Sequence, residues 1–237
     1  MTAVDQRLRE NDERVRGRID AACRRCGRDP ATVHLVAVTK YAELAWVRQL
    51  LALGVRILGE SRPQQLIERA AEFDADMEWH LIGHLQRNKV RPVLTHAALI
   101  HSVDSLRLLQ RIDQLAGEMQ LRPRVLLEVN VTGEESKDGF APLELWDAWR
   151  AIAALSNVRI EGLMTMAALV DDPEAARPAF QRLRLIRDEL QRLAPGRPLP
   201  ELSMGMSNDF EIAIEEGASY VRIGSLLFEG MGSGVRA

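Results

Sequence analysis

The sequence predicts an α/β fold, a single TIM-type (β/α)8 barrel preceded by an N-terminal helix. Three observations predict it. Eight short apolar runs alternate with helical stripes along 237 residues. The runs are continuously apolar, as parallel strands buried on both faces are. An eightfold β/α count at this length matches a closed barrel. An open doubly wound sheet is the alternative; no G-x-G-x-x-G follows the first strand, which weakens a dinucleotide-binding version of it. No Pro/Ser linker divides the chain. Residues 1–237 therefore read as one domain, with a glycine-rich tail from about 230 to 237 expected to be loose.

The elements follow in order. Val4, Leu8, Val15, Ile19 and Ala22 stripe an opening helix, which Gly27 and Asp29-Pro30 stop. His34–Thr39 reads as strand one, and Leu44, Val47, Leu50 and Leu51 stripe the next helix up to Gly54. Val55–Gly59 is strand two, before a helix opened by Pro63. Glu78–Gly83 is strand three, before a short helix through Val90 and Val93. Leu99–Val103 is strand four, before a helix capped by Asp104 or Ser105. Val125–Asn130 and Ile160–Thr165 are strands five and six, each followed by a helix; the second carries Phe180, Leu183, Ile186 and Leu190. Glu201–Met204 is strand seven, Ser207 or Asn208 caps the helix after it, and Tyr220–Gly224 is strand eight.

A formal charge of −3 leaves no electrostatic footprint for nucleic acid or an anionic membrane. No apolar run approaches the roughly 20 residues that span a bilayer. The polar start, Met1 to Asp20, does not read as a secretory signal, so a cytoplasmic protein is expected. Cys23 and Cys26 form a C-x-x-C without a second pair, near a helix end, and read as ordinary thiols. Of 31 basic residues three are lysines: Lys40, Lys89 and Lys137. Arginine does not deprotonate and forms no imine, so an arginine-biased chain draws attention to each amine it keeps.

Lys40 ends the run Val36-Ala37-Val38-Thr39. At the mouth of a buried strand its stem would pass apolar walls and its ammonium would be partly dehydrated, which favours a nucleophilic amine. The plainer reading is a lysine that ends a strand in water. In a barrel the site lies at the carboxyl ends of the strands. Those ends offer Lys40, Glu60 with Ser61, Gly83 with His84, Asn130, Met164 with Thr165, Gly205-Met206-Ser207, and Arg222-Ile223-Gly224-Ser225. The last two segments read as a phosphate cradle. Gly205 and Gly224 would admit a ligand, Ser207 and Asn208 would open a helix, and Ser203, Ser207 and Ser225 would add hydroxyl donors. An imine-forming lysine facing such a cradle points to pyridoxal phosphate. Arg222 could then donate a hydrogen bond to the pyridine nitrogen without protonating it; otherwise it pairs with Glu201 or Glu60. Glu60 reads as structural. His80 and His84 have a helical spacing but sit on strand and turn, which argues against a metal pair.

Several segments resemble the pyridoxal phosphate homeostasis protein family, itself similar to the N-terminal barrel of alanine racemase. They include LVAVTK at 35–40, LGE at 58–60, EWHLIGHLQRNKVR at 78–91, HSVD at 101–104, VNVTGEESKDGF at 129–140, GLMTM at 162–166, SMGMSNDFEIAI at 203–214 and VRIGSLLF at 221–228. The resemblance implies Lys40 as the Schiff-base lysine, with Ser203, Ser207, Gly224 and Ser225 near the phosphate and Arg222 at the pyridine nitrogen. Ser61 and Met206 complete the expected cofactor-binding set. Ser61 stands where the family usually has Asn, and its shorter side chain reaches less far. Lys137 matches a lysine proposed in the family as a secondary or transfer site; its plainer reading is an exposed loop lysine. The segment after Ser225 lacks the family's usual terminal helix. The expected function is intracellular pyridoxal phosphate homeostasis, with the cofactor held on Lys40 and supplied to apo-enzymes by a monomer. Catalytic residues and a metal are not expected. The alternatives are an amino-acid racemase and a cofactor-free Schiff-base aldolase. Racemisation needs two opposed acid/base groups; alanine racemase takes one, a tyrosine, from a second domain that this chain does not show, and Tyr41 directly follows Lys40.

Overall fold

The protein is described by a computed structural model over residues 2–73, 76–134, 137–168 and 171–231. Eight parallel strands close in sequence order, β1 pairing with both β2 and β8. They are β1 (His34–Val38), β2 (Ile57–Glu60), β3 (Glu78–Leu81), β4 (Leu99–Val103), β5 (Arg124–Glu128), β6 (Arg159–Met164), β7 (Glu201–Met206) and β8 (Tyr220–Ile223). The helices are α1 (Ala3–Arg25), α2 (Leu44–Ala52), α3 (Pro63–Glu72), α4 (Val90–Val93), α5 (Leu106–Met119), α6 (Pro142–Ala153), α7 (Arg177–Leu193) and α8 (Phe210–Glu215). The (β/α)8 barrel with its preceding helix is as expected, and the open sheet is excluded by the β1–β8 pairing.

Helix α1 starts with a reciprocal cap between Thr2 and Asp5. It buries Leu8, Val15, Ile19 and Ala22, whereas Val4 is exposed. Among the described residues, seven helices follow strands, and residues 225–230 after β8 run as turns. Helix α1 packs against both α8 and α2, the ring position that a helix after β8 would occupy. Arg18 Nε lies 2.6 Å from Glu211 Oε1 and Arg25 Nε lies 2.7 Å from Glu215 Oε1. Asn11 Nδ2 donates to the carbonyls of Leu227 and Glu229, both at 3.0 Å. The closing element is thus the first helix of the chain. Residue Met231 is buried, so the loose tail expected from 230 does not begin there; 232–237 lie outside the described residues.

Two apolar layers result. Alternate strand residues such as Ala37, Leu58 and Val125 meet the helices, while Val36, Leu99, Leu126, Met164 and Tyr220 fill the lower barrel interior. Burying each large side chain contributes about 1.5–3 kcal/mol.

Several boundaries differ from expectation, each for a local reason. Strand β7 continues past Met204 to Met206 through an irregularity after Ser203. There Gly205 has φ +90°, and a Cβ on it would lie 2.5 Å from Ala213 Cβ and 2.9 Å from Phe210 Cα. Gly205 therefore admits α8 against the strand, not a ligand. Residues 207–209 form a turn, so α8 begins at Phe210 with Asp209 at its N-cap position, in place of Ser207 or Asn208. Strand β1 stops at Val38 and β5 at Glu128, earlier than the apolar runs implied.

Candidate functional site at the barrel mouth

Lys40 lies two residues beyond β1, on the inward parity of Val36 and Val38. Its side chain is exposed, and Nζ sits 5.0 Å from the Tyr41 ring centroid. The expected dehydration of its ammonium is therefore not met; ending the strand at Val38 lifts the side chain into water. Its backbone is held from below. Arg69 of α3 donates to the carbonyls of Thr39 at 2.8 Å and Ala42 at 2.7 Å. Glu60 faces Arg69 at 3.0 Å and accepts the Thr39 hydroxyl at 2.6 Å. Glu60 is completely buried in the layer between barrel and helices. Burial pushes its carboxyl up, against the pull of the Thr39 hydroxyl and Arg69. Its role is structural: it anchors the loop that carries Lys40.

Gly224 adjoins β1, for a Cβ on it would lie 3.3 Å from Val38 Cβ. Its N–H donates to Ser207 Oγ at 3.3 Å, joining the turn after β7 to the end of β8. Met206 N–H donates to Asp209 Oδ1 at 2.6 Å, which shapes that turn. Ser207 and Met206 are half-buried and Ser225 is exposed. Ser61 is half-buried after β2, backed by Gly83, whose Cβ would lie 2.2 Å from the Ser61 carbonyl oxygen. Met206 and Ser207, then Arg222, Gly224 and Ser225, then Lys40, then Ser61 occupy β7, β8, β1 and β2: four consecutive strand ends. Lys137 follows β5, outside this sector, and its Nζ donates to Glu134 Oε1 at 2.7 Å.

Arg222 is buried inside the barrel below this rim. It donates to Ser203 Oγ at 2.5 Å and to the Thr165 carbonyl at 2.9 Å. Among the described residues it makes no ion pair with Glu201 or Glu60. Burial lowers its pKa to about 10, with the charges of Glu128 and Asp209 acting the other way. Ser203, expected beside a phosphate, is wholly buried, and its hydroxyl is engaged by Arg222 and by His101 Nδ1 at 2.7 Å. Glu128, at the end of β5, is pushed up to about 7, first by burial; Arg222 lowers it, and Asp104 and Asp138 raise it. His80 is buried in the barrel, whereas His84 is exposed at the rim, 3.2 Å from Asp104 Oδ2 and 3.5 Å from Asp138 Oδ2. The two histidines share no site.

Sequence reasoning passed over His101 and Glu128 as interior groups; Thr165, offered as a strand-end residue, meets Arg222 through its backbone carbonyl. The signal for Glu128 was available: it lies two residues beyond inward-facing Leu126 on its strand.

Fold and rim together define a (β/α)8 barrel that carries an amine, hydroxyls and a buried guanidinium on its β7–β8–β1–β2 sector. Residues 11–231 match the family described as alanine racemase, N-terminal domain. The chain is 44% identical over 220 residues to the pyridoxal phosphate homeostasis protein of Aquifex aeolicus, covering 92% of this chain and 96% of that one. It is 42% identical to the protein of that name from Pseudomonas aeruginosa, over 93% of this chain and 94% of that one. It therefore belongs to the pyridoxal phosphate homeostasis protein family. Among solved structures, PipY of Synechococcus elongatus PCC7942 with PLP bound is similar at TM-score 0.83 and 36% identity, over 93% of this chain and 99% of that one. An alanine racemase from Clostridium difficile 630, at 17% identity and TM-score 0.73, shares the fold.

Proposed function

We propose that this protein binds pyridoxal 5′-phosphate at the β7–β8–β1–β2 sector and serves its intracellular homeostasis, supplying it to apo-enzymes. The carrying observation is the gathering of an amine, a backbone N–H with two hydroxyls, and a buried guanidinium on neighbouring strand ends. Pyridoxal phosphate supplies an aldehyde that a lysine amine can condense with. Lys40 is the amine of this sector. The hydroxyls of Ser207 and Ser225 would be the donors for a phosphate, beside the Gly224 N–H that donates to Ser207 Oγ, and Gly224 keeps a side chain out of that corner. Met206, at the end of β7, and Ser61, just after β2, bound the sector on its two sides. Arg222 would be the donor to the ring nitrogen, and a guanidinium would hold that atom without giving it a proton. Ser203 enters the cofactor-binding set through Arg222.

The proposed role is that of a carrier, not an enzyme. Tyr41 lies under the Lys40 ammonium, on the same side, and Tyr220 is buried deep in the barrel with its hydroxyl 3.3 Å from Arg124 Nη2. Burial pushes the Tyr220 phenol up to about 12. Neither tyrosine is placed to oppose Lys40 as racemisation requires. A cofactor-free aldolase would leave Arg222 without a purpose. The proposal extends to residues 1–237 as one cytoplasmic, monomeric domain. No described helix is long and apolar enough to cross a membrane.

Borohydride reduction of the cofactor-loaded protein, followed by peptide mass analysis, tests this reading. A pyridoxyl mass on Lys40, absent in Lys40→Ala, is expected. An adduct confined to Lys89 or Lys137 would overturn it, and exchange of an amino acid's Cα proton would restore the racemase reading.

A further inference from the structure

We propose that His101, backed by His80, is a positioning residue: with Ser203 the two rings form a one-way hydrogen-bonded chain through the barrel that fixes how Arg222 faces the mouth. This rests on the reading of Arg222 as the donor to the cofactor ring.

The chain has four links. Arg222 Nη1 is 2.5 Å from Ser203 Oγ, and Ser203 Oγ is 2.7 Å from His101 Nδ1. His101 Nε2 is 2.9 Å from His80 Nδ1, and His80 Nε2 is 3.4 Å from Glu78 Oε2. His80, His101, Ser203 and Arg222 are all buried. Glu78 opens β3 at the floor of the barrel, where it also meets Arg124 Nη1 at 3.4 Å.

The two ends set the direction. Guanidinium only donates and carboxylate only accepts. With Arg222 donating to Ser203, the serine hydroxyl gives its proton to His101 Nδ1. His101 then donates from Nε2 to His80 Nδ1, and His80 donates from Nε2 to Glu78. The Ser203 hydroxyl and all four imidazole nitrogens are then matched. The opposite arrangement puts a proton on His101 Nδ1. It strands the Ser203 hydroxyl proton and sets a bare His80 nitrogen against a carboxylate. Leaving such a group unmatched is expensive in an interior. Burial holds both imidazoles below their ordinary range, so two neutral rings are the compatible state. The Tyr220 ring meets both edge-on, at 5.6 Å and 5.5 Å. The chain is not a proton wire, because Arg222 does not accept a proton. It is a fixed strut, and with the Thr165 carbonyl it uses two of the five guanidinium N–H donors and leaves the others a single orientation.

Nitrogen-15 NMR of the whole chain at pH 7, before cofactor is added, tests the chain independently of cofactor binding. Both rings are expected neutral, with the proton on Nε2. A proton on Nδ1 of either ring, or an imidazolium, would overturn the proposal. With pyridoxal phosphate added, His101→Asn keeps an acceptor for Ser203 near the Nδ1 position and His101→Leu does not. His101→Leu is expected to weaken cofactor binding about tenfold and shift its absorbance, with His101→Asn restoring both. Equal behaviour of the two variants would overturn the role of His101. Expected tautomers in a protein that forms no Lys40 adduct would instead place the failure with the cofactor reading.

Discussion

The barrel interior and the barrel rim treat polar groups in opposite ways. Inside, Arg222, Ser203, His101 and His80 are sealed and matched to one another. On the rim, Lys40 and Ser225 stand in water and Ser61 and Ser207 are half-covered. The difference teaches where precision resides. The rim groups stay open, the buried Arg222 lies beneath them, and the side chains packed behind each carry its placement. Arg69 and Glu60 do this for the Lys40 loop, and Ser203 does it for Arg222.

The largest expected effects separate wall from rim. A Cβ at Gly162 would sit 1.8 Å from the Glu201 carbonyl oxygen and 2.9 Å from Glu201 Cα. Two backbones cannot yield that distance without parting β6 from β7. Gly162→Ala is expected to leave no cooperative unfolding transition by circular dichroism. Gly83→Ala crowds a loop instead of a paired strand, displacing the backbone of Ser61. It is expected to retain a transition and to lose cofactor affinity. A folded Gly162→Ala protein would show that the wall gives as readily as the rim.

Next comes the support under Lys40. Removing the Glu60 carboxylate leaves Arg69 nearly buried without a counter-charge, its side chain 10% exposed. Breaking one partner of a buried pair destabilises by about 3–5 kcal/mol. Glu60→Ala is expected to show a loss of that size in urea unfolding, and Glu60→Gln, which keeps an acceptor for Thr39, a smaller one. If both lose nothing, the loop is held from elsewhere.

Glu128 sharpens the comparison through pH. The unfolded chain releases this proton near the ordinary value of 4.5, while the folded protein keeps it to about 7. Between those values the native state binds more protons, so this group's contribution to stability falls as pH rises and levels off above about 7. The fall is on the order of 3 kcal/mol. Glu128→Gln is expected to flatten that part of the slope between pH 5 and 8 in urea titrations. The contributions of Glu60 and Asp209, also raised by burial, remain in both proteins and cancel. An unchanged slope would mean that Glu128 is ionised inside the barrel.

These contrasts mark how far the sequence could be read. The strands were legible because burial on both faces writes itself as apolar runs, the LVAV of residues 35–38 being one. Lys40 was legible by its chemistry among arginines. Its exposure was not, because that follows from β1 stopping at Val38, and the apolar run does not mark the stop. The turn at 207–209 was hidden for a similar reason: Ser207 has cap chemistry, but Gly205 bends the strand and delays α8 to Phe210. The His101–Ser203 contact joins residues 102 positions apart, and it becomes visible when the ring closes. The ring place of α1 has the same origin, since docking between α8 and α2 depends on the β1–β8 pairing.

The smallest expected effect tests whether the rim has one working sector or two. Lys137 pairs with Glu134 on the β5–α6 loop, their side chains 23% and 45% exposed. Such a pair contributes about 0–1 kcal/mol. The loop is held instead by Asn130, whose Nδ2 donates to the Glu134 carbonyl at 2.8 Å and the Lys137 carbonyl at 3.3 Å. Lys137→Ala is therefore expected to shift stability by less than about 1 kcal/mol and to leave the reducible adduct on Lys40 intact. A second role for Lys137 would show in transfer alone, as slower reactivation of an apo-enzyme by the loaded variant at unchanged cofactor affinity. Loss of the Lys40 adduct in Lys137→Ala would instead join the two sectors into one site. The separation of β5 from the β7–β8–β1–β2 ends argues against that outcome.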